Sequence, residues 1–99
     1  MNYFISYDIS KNYFRTKTAK LLERHGAVRV QKSVFFIFEV SPAFINSLKN
    51  KLFELLDETD KTDSVMLIRV ERDWLDSINM IGENNAYEMA RKIYHTKFF

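Results

Sequence analysis

The chain has 99 residues, 15 Lys and Arg against 13 Asp and Glu, a formal net charge of +2 and no cysteine. The missing cysteines exclude a disulfide framework and a thiolate metal site, and so weak a net charge leaves any case for a polyanionic partner to the distribution of charge. Nine Phe, five Tyr and one Trp against two Gly and one Pro describe a globular chain. The N-terminus lacks a basic region followed by a long apolar stretch, and no segment reaches membrane-spanning length, so a soluble, cytoplasmic protein without a membrane partner is expected.

Residues 2–8 (Asn2 to Asp8) read as a strand buried on both faces, ending on Tyr7-Asp8. Ser10 is placed to cap a helix over residues 11–25, with Phe14, Thr18, Leu21 and Leu22 as its apolar stripe and Gly26 at its stop. Residues 27–40 are β-branched and aromatic and divide into two strands near Gln31-Lys32-Ser33. Ser41-Pro42 starts a second helix carrying Phe44, Ile45, Leu48, Leu52, Leu55 and Leu56 on one face, through about residue 57. Asp57 to Asp63 is a charged connector. It lacks the central glycine and closing glutamate of a calcium loop. Ser64 to Val70 is a fourth strand.

Strand–helix–strand–strand–helix–strand is the order of the α+β ferredoxin-like, split βαβ sandwich, with both helices on one sheet face. Phe35, Phe36, Ile37 and Phe38 cannot all point to that face, so a second protomer is the expected cover for the other. Residues 74–81, closed by Gly82, read as a fifth short strand able to lock such a dimer. Residues 1–82 then form the ferredoxin-like domain and residues 83–99 a helical extension. Asn85 would cap that helix, Ala86, Met89, Ala90 and Ile93 would share a face, and Phe98 and Phe99 would end the chain as exposed aromatics.

Most catalytic constellations are missing. His25 and His95 have no acid or Cys at ligand spacing, there is no nucleophile elbow, and two isolated glycines cannot form a phosphate loop. Asp8 and a set of cations remain. Asp8 ends an apolar strand where a loop begins. It either presents a carboxylate to a ligand or opens the turn, a role for which Asp is favoured. Lys17, Lys20 and Arg24 repeat at three and four residues with Tyr13 one turn earlier, Lys11 and Arg15 form a second row, and Arg29 and Lys32 follow, against the single acid Glu23. Such local excess fits phosphate neutralisation and also fits an ordinary solvated helix.

Tyr7-Asp8-Ile9-Ser10, Arg15-Thr16-Lys17, Leu21-Leu22-Glu23-Arg24-His25-Gly26 and Arg29-Val30-Gln31-Lys32-Ser33-Val34-Phe35 stand in one order at one spacing. In this combination the chain resembles the small CRISPR-associated adaptation family Cas-two, the second of the two near-universal CRISPR-associated proteins. The likeness is strong over residues 1–35 and looser through Ser64–Val70 and Ile81-Gly82. Phe36 to Val40 is more apolar than the usual family segment, which often carries glycine there.

The resemblance implies a homodimer with a metal-dependent endonuclease site at the dimer cleft and one Mg²⁺ held between the two Asp8 carboxylates. Tyr7, Arg15, Arg29 and Phe35 match positions associated with that catalytic site, and Lys17 a usual basic position. With Lys11, Lys20, Arg24 and Lys32, Lys17 would bind RNA or DNA. A CRISPR-associated integrase is the implied partner in spacer acquisition. The alternatives are a non-catalytic nucleic-acid-binding scaffold of the same fold, an RNA-recognition module that lacks the usual third-strand consensus, and a stand-alone ribonuclease toxin.

Overall fold

Period-two alternation in two aromatic strands sets the architecture. A computed structural model describes residues 1–98, without the side chains of Lys97 and Phe98. The expected exposure of Phe98 and Phe99 therefore lies outside the described residues. The elements run β1 (Asn2–Asp8), α1 (Asn12–Arg24), β2 (Val28–Gln31), β3 (Val34–Ile37), α2 (Pro42–Leu56), β4 (Ser64–Val70), a 3₁₀ turn (Trp74–Ser77) and α3 (Asn85–Phe98). The four strands form one antiparallel sheet in the order β2-β3-β1-β4, the ferredoxin-like arrangement.

Successive side chains of a strand point to opposite faces. Tyr3, Ile5 and Tyr7 of β1 and Phe35 and Ile37 of β3 turn to one face, where they bury with Leu22 of α1 and Ile45, Leu48 and Leu52 of α2. The register puts Ile5 opposite Phe35 and Tyr3 opposite Ile37, so the two strands fill this core as cross-strand pairs. Phe4 and Phe36, also opposite one another, turn the other way and pack with Val30, Leu75, Tyr87, Ala90 and Tyr94.

That second core corrects several expectations. No strand forms over residues 74–81. Trp74, Leu75 and Ile78 are spaced for a helical turn rather than for alternation. The Ser77 hydroxyl donates to the Trp74 carbonyl at 2.6 Å, and the Trp74 ring meets Phe4 and Phe36 edge-on at 5.3 and 5.5 Å. The β2–β3 half of the second face is covered by the chain's own α3. The stripe of α3 that buries is Tyr87, Ala90 and Tyr94, whereas Met89, expected inward, is 57% exposed. Its cap is Asn84 rather than Asn85: the Asn84 carboxamide oxygen accepts from Tyr87 N–H at 2.8 Å while its NH₂ donates to the Val30 carbonyl at 2.7 Å. One side chain thus starts the helix and moors it to β2.

The β1–β4 half of this face is open. Met66 and Ile68 of β4 are 53% and 41% exposed, opposite Ser6 and Phe4. Among the described residues no helix is long and apolar enough to cross a membrane.

Candidate nucleic-acid and metal site

Asp8 ends β1 opposite Ser64 of β4, and it is exposed. Burial therefore supplies no reason for this acid within its apolar run, because its position at the strand end already leaves the carboxylate in water. Alternation directs it to the face of Phe4 and Ser6, at the end of the open Met66–Ile68 strip. Among the described residues no hydrogen bond or ion pair engages its carboxylate. Nor does it cap α1, which begins four residues later.

The loop after Asp8 is held from outside α1. Lys11 occupies the N-cap with no side-chain bond, so the expected Ser10 cap is absent. The Ser10 hydroxyl instead donates to Asp60 Oδ2 at 2.8 Å and its N–H to Asp63 Oδ1 at 3.0 Å. The acids between α2 and β4 are more than a solvated connector, since they grip the segment that follows Asp8. Arg15 completes this hold, its Nη1 donating to the carbonyls of Ile9 and Ser10 at 3.3 and 3.2 Å.

Tyr7, one residue before Asp8, points to the opposite face. It is 6% exposed, its hydroxyl donates to the Lys32 carbonyl at 3.1 Å, and its ring stacks with Phe35 at 6.2 Å. Arg29 lies over the other ring of that pair, 5.1 Å from the Phe35 centroid, with Glu23 at 3.9 Å. Phe35 itself is fully buried. It aligns Tyr7 and Arg29 from beneath.

Two grooves flank α1. The hairpin groove, about 530 Å³, is lined by Tyr7, Arg15, Arg29, Lys32 and the α1 residues Asn12 and Thr16. The helix groove, about 900 Å³, lies between α1 and α2 and collects Tyr13, Lys17, Lys20, Arg24 and Lys51, again with Asn12 and Thr16. The structure thus divides the predicted residues into three places: Asp8 alone on the open sheet face, Arg15, Arg29 and Lys32 in one groove, and Lys17, Lys20 and Arg24 in the other. Lys11 stands apart, 4.0 Å from Asp60 and mostly solvated. Asn12 and Lys51 were not singled out in the sequence, and Thr16 only as part of the Arg15-Thr16-Lys17 motif. The i, i+4 spacing of Asn12 and Thr16 beside the cations was the available signal.

The Lys17 ammonium sits 4.9 Å from the Tyr13 ring centroid. Its pKa is held above the ordinary value, chiefly by the hydrogen bond with Tyr13, so it is a cation throughout the neutral range. His25 is structural. Nδ1 lies 2.8 Å from the Leu21 carbonyl, which makes it the donor and leaves Nε2 to accept from Lys51 Nζ at 3.2 Å.

Residues 1–78 match the family model described as CRISPR associated protein Cas2. The chain belongs to this family. A relative from Chloroflexus aurantiacus, named CRISPR-associated endoribonuclease Cas2 1, is 37% identical over 94 residues, spanning 95% of this chain and 98% of its own. A Methanospirillum hungatei relative named CRISPR-associated endoribonuclease Cas2 2 is 40% identical over 57 residues, 58% of this chain and 62% of its own. Among solved structures, Streptococcus pyogenes Cas2 superposes with a TM-score of 0.72 at 30% identity, over 83% of this chain and all of that one. A chain of a partial Cas6-RT-Cas1–Cas2 complex superposes with a TM-score of 0.68 at 26% identity, over 81% of this chain and 89% of that one. The family match ends at residue 78, within the covered second face and before α3 begins.

Proposed function

We propose that this chain is a metal-dependent endonuclease of the Cas2 family, working as a homodimer whose two Asp8 carboxylates hold one Mg²⁺ against a nucleic-acid phosphodiester. The observation that carries the reading is the exposed, unengaged Asp8 at the rim of the open β1–β4 face. Among the described residues of one chain no group of three or more His, Cys, Asp and Glu could hold a metal. Mg²⁺ requires less than that: it commonly binds one or two carboxylates, retains waters and takes its remaining ligands from phosphate. One exposed carboxylate per chain fits such an ion when a two-fold axis pairs the chains, and the uncovered Met66 and Ile68 supply apolar surface for that contact. When bound, the ion would polarise the phosphate and lower the pKa of a water. The protein's own part is to hold the Asp8 loop rigid through Ser10, Asp60, Asp63 and Arg15, and to seat flanking phosphates on Arg29 and Lys32. Localisation in the cytoplasm belongs to the same reading.

Assembly with a CRISPR integrase as a duplex-bridging scaffold is a second reading with its own support. The hairpin and helix grooves carry their cations independently of Asp8, so binding can persist without hydrolysis.

Asp8→Asn separates the two. Among the described residues the Asp8 carboxylate makes no hydrogen bond or ion pair, so the variant is expected to keep the wild-type melting temperature and dimeric sedimentation. Mg²⁺-dependent cleavage is expected to fall by orders of magnitude, as when metal charge stabilisation is lost, with oligonucleotide affinity retained. Cleavage at the wild-type rate, or a variant that unfolds, removes the catalytic assignment; binding with cleavage by neither protein leaves the scaffold.

A further inference from the structure

The helix groove has a composition that the hairpin groove lacks. Tyr13, Lys17, Lys20 and Arg24 follow at i, i+4, i+7 and i+11, and all four line the α1 wall. At 1.5 Å per residue that wall is about 16 Å long, the length of four or five stacked nucleotides at about 3.4 Å each. Tyr13 is 63% exposed at one end, meets the Phe14 ring edge-on at 5.2 Å, and has the Lys17 ammonium over its face. The opposite wall carries Glu54 of α2 and Glu58 just beyond it, which repel phosphate, while Lys51 of α2 is held by His25 Nε2 at 3.2 Å, so the α1 wall is the track. Leu21 and Leu55 form part of the apolar floor between the walls.

We propose that this groove binds single-stranded nucleic acid, with a base stacked on Tyr13 and the following phosphates on Lys20 and Arg24. The inference rests on the nucleic-acid-binding reading above and specifies its strand. Stacking on Tyr13 requires a base already out of a duplex, and aromatic platforms beside cations are the usual means of holding such strands. A duplex would ride the groove's rim, reaching the cations with its backbone and the ring with nothing. Because Asn12 and Thr16 line both grooves, a strand leaving Tyr13 passes over the first turns of α1 to Arg15, Arg29 and Lys32. Lys17 leaves the ring for a phosphate as the base takes its place.

Fluorescence anisotropy with an oligothymidylate of about twelve nucleotides, within the usual range of single-strand sites, and with a duplex of equal length tests this. Tyr13→Ala is expected to weaken oligothymidylate binding about tenfold and leave duplex binding unchanged, while Tyr13→Phe retains wild-type affinity. Tyr13 is exposed on a helix surface, so both variants fold; matching circular dichroism melts check it. If Tyr13→Ala binds oligothymidylate like wild type while the double variant Arg29→Gln/Lys32→Gln is weakened, binding belongs to the hairpin groove and the proposal falls alone. Equal losses on single strand and duplex also overturn it. If the wild-type dimer binds neither probe, the nucleic-acid reading falls with it.

Discussion

The two faces of the sheet are built from the same kinds of residue and end in different states. The helix-side face is covered by α1 and α2, which come from between its own strands, while Arg29 of β2 and Arg69 of β4 stay exposed at its margins. The other face is closed only over β2 and β3, by a helix contributed from the end of the chain, and open over β1 and β4. A sheet made by split βαβ units guarantees its first cover, because the crossovers must pack somewhere and right-handedness sends both to one side. The second cover is optional. That is why the open half carries the exposed Asp8 and the apolar Met66–Ile68 strip, whereas on the helix side the exposed charge lies in the grooves that flank α1.

The sharpest way to break this contrast is to test whether the second core is as well packed as the first. Phe36 is 1% exposed, within 5.5 Å of both Phe4 and Trp74 ring centroids and 6.1 Å of Phe38. Phe36→Ala is therefore expected to cost about 3–5 kcal/mol in urea unfolding, the range for a buried Phe. A cost below about 1 kcal/mol would mean that α3 does not stay on the sheet. Next in size, Asn84→Ala removes both the α3 cap and the tie to Val30. It is expected to cost about 1–2 kcal/mol, with hydrogen exchange rising in α3 and unchanged in α1; equal rises in both would erase the distinction between the faces.

The smallest effect concerns pH. Asp76 accepts from His95 Nε2 at 2.8 Å and from Arg91 Nε at 3.3 Å, bridging the 3₁₀ turn to α3. His95, then Arg91, hold its pKa below the ordinary 3.8. A depressed carboxylate contributes stability above its unfolded pKa and loses it as pH falls through the lower folded one, so α3 is expected to loosen only below about pH 4. The pair is a third exposed and screened, so Asp76→Asn should flatten the acid limb by no more than about 0.5 kcal/mol. An acid limb unchanged by the substitution would remove the bridge from the account.

Local pattern was a reliable guide wherever burial and periodicity coincide. Ser64–Val70 and the Ser41-Pro42 start of α2 follow directly from residue type, and the Ser41 hydroxyl accepts from Phe44 N–H at 3.1 Å as its position implies. Gly26 follows α1 with φ of +88°, a conformation that glycine adopts without a Cβ penalty. Pattern failed where an apolar segment had more than one surface to bury against. Trp74 to Ile81 is equally apolar as an edge strand or as a turn over Phe4, and only the presence of α3 above β2 and β3 leaves the turn. Ser10 failed likewise: a cap and a tether are both satisfied by one hydroxyl, and Asp60, fifty residues away, was the better partner.

By itself, then, the sequence determined the order of elements from β1 to β4, the two-faced burial of β1 and β3, the density of cations on α1 and the hairpin, and the family likeness carried by residues 1–35. Each of these rests on neighbours within a few positions, where periodicity and side-chain type act directly. Tertiary structure alone decided that the face of Asp8 stays open over β4, that the α1 cations part into two grooves, and that α3 covers half the second face. Those outcomes depend on which surfaces meet after the sheet has formed, and two chemically similar surfaces compete there on packed area that no local window contains.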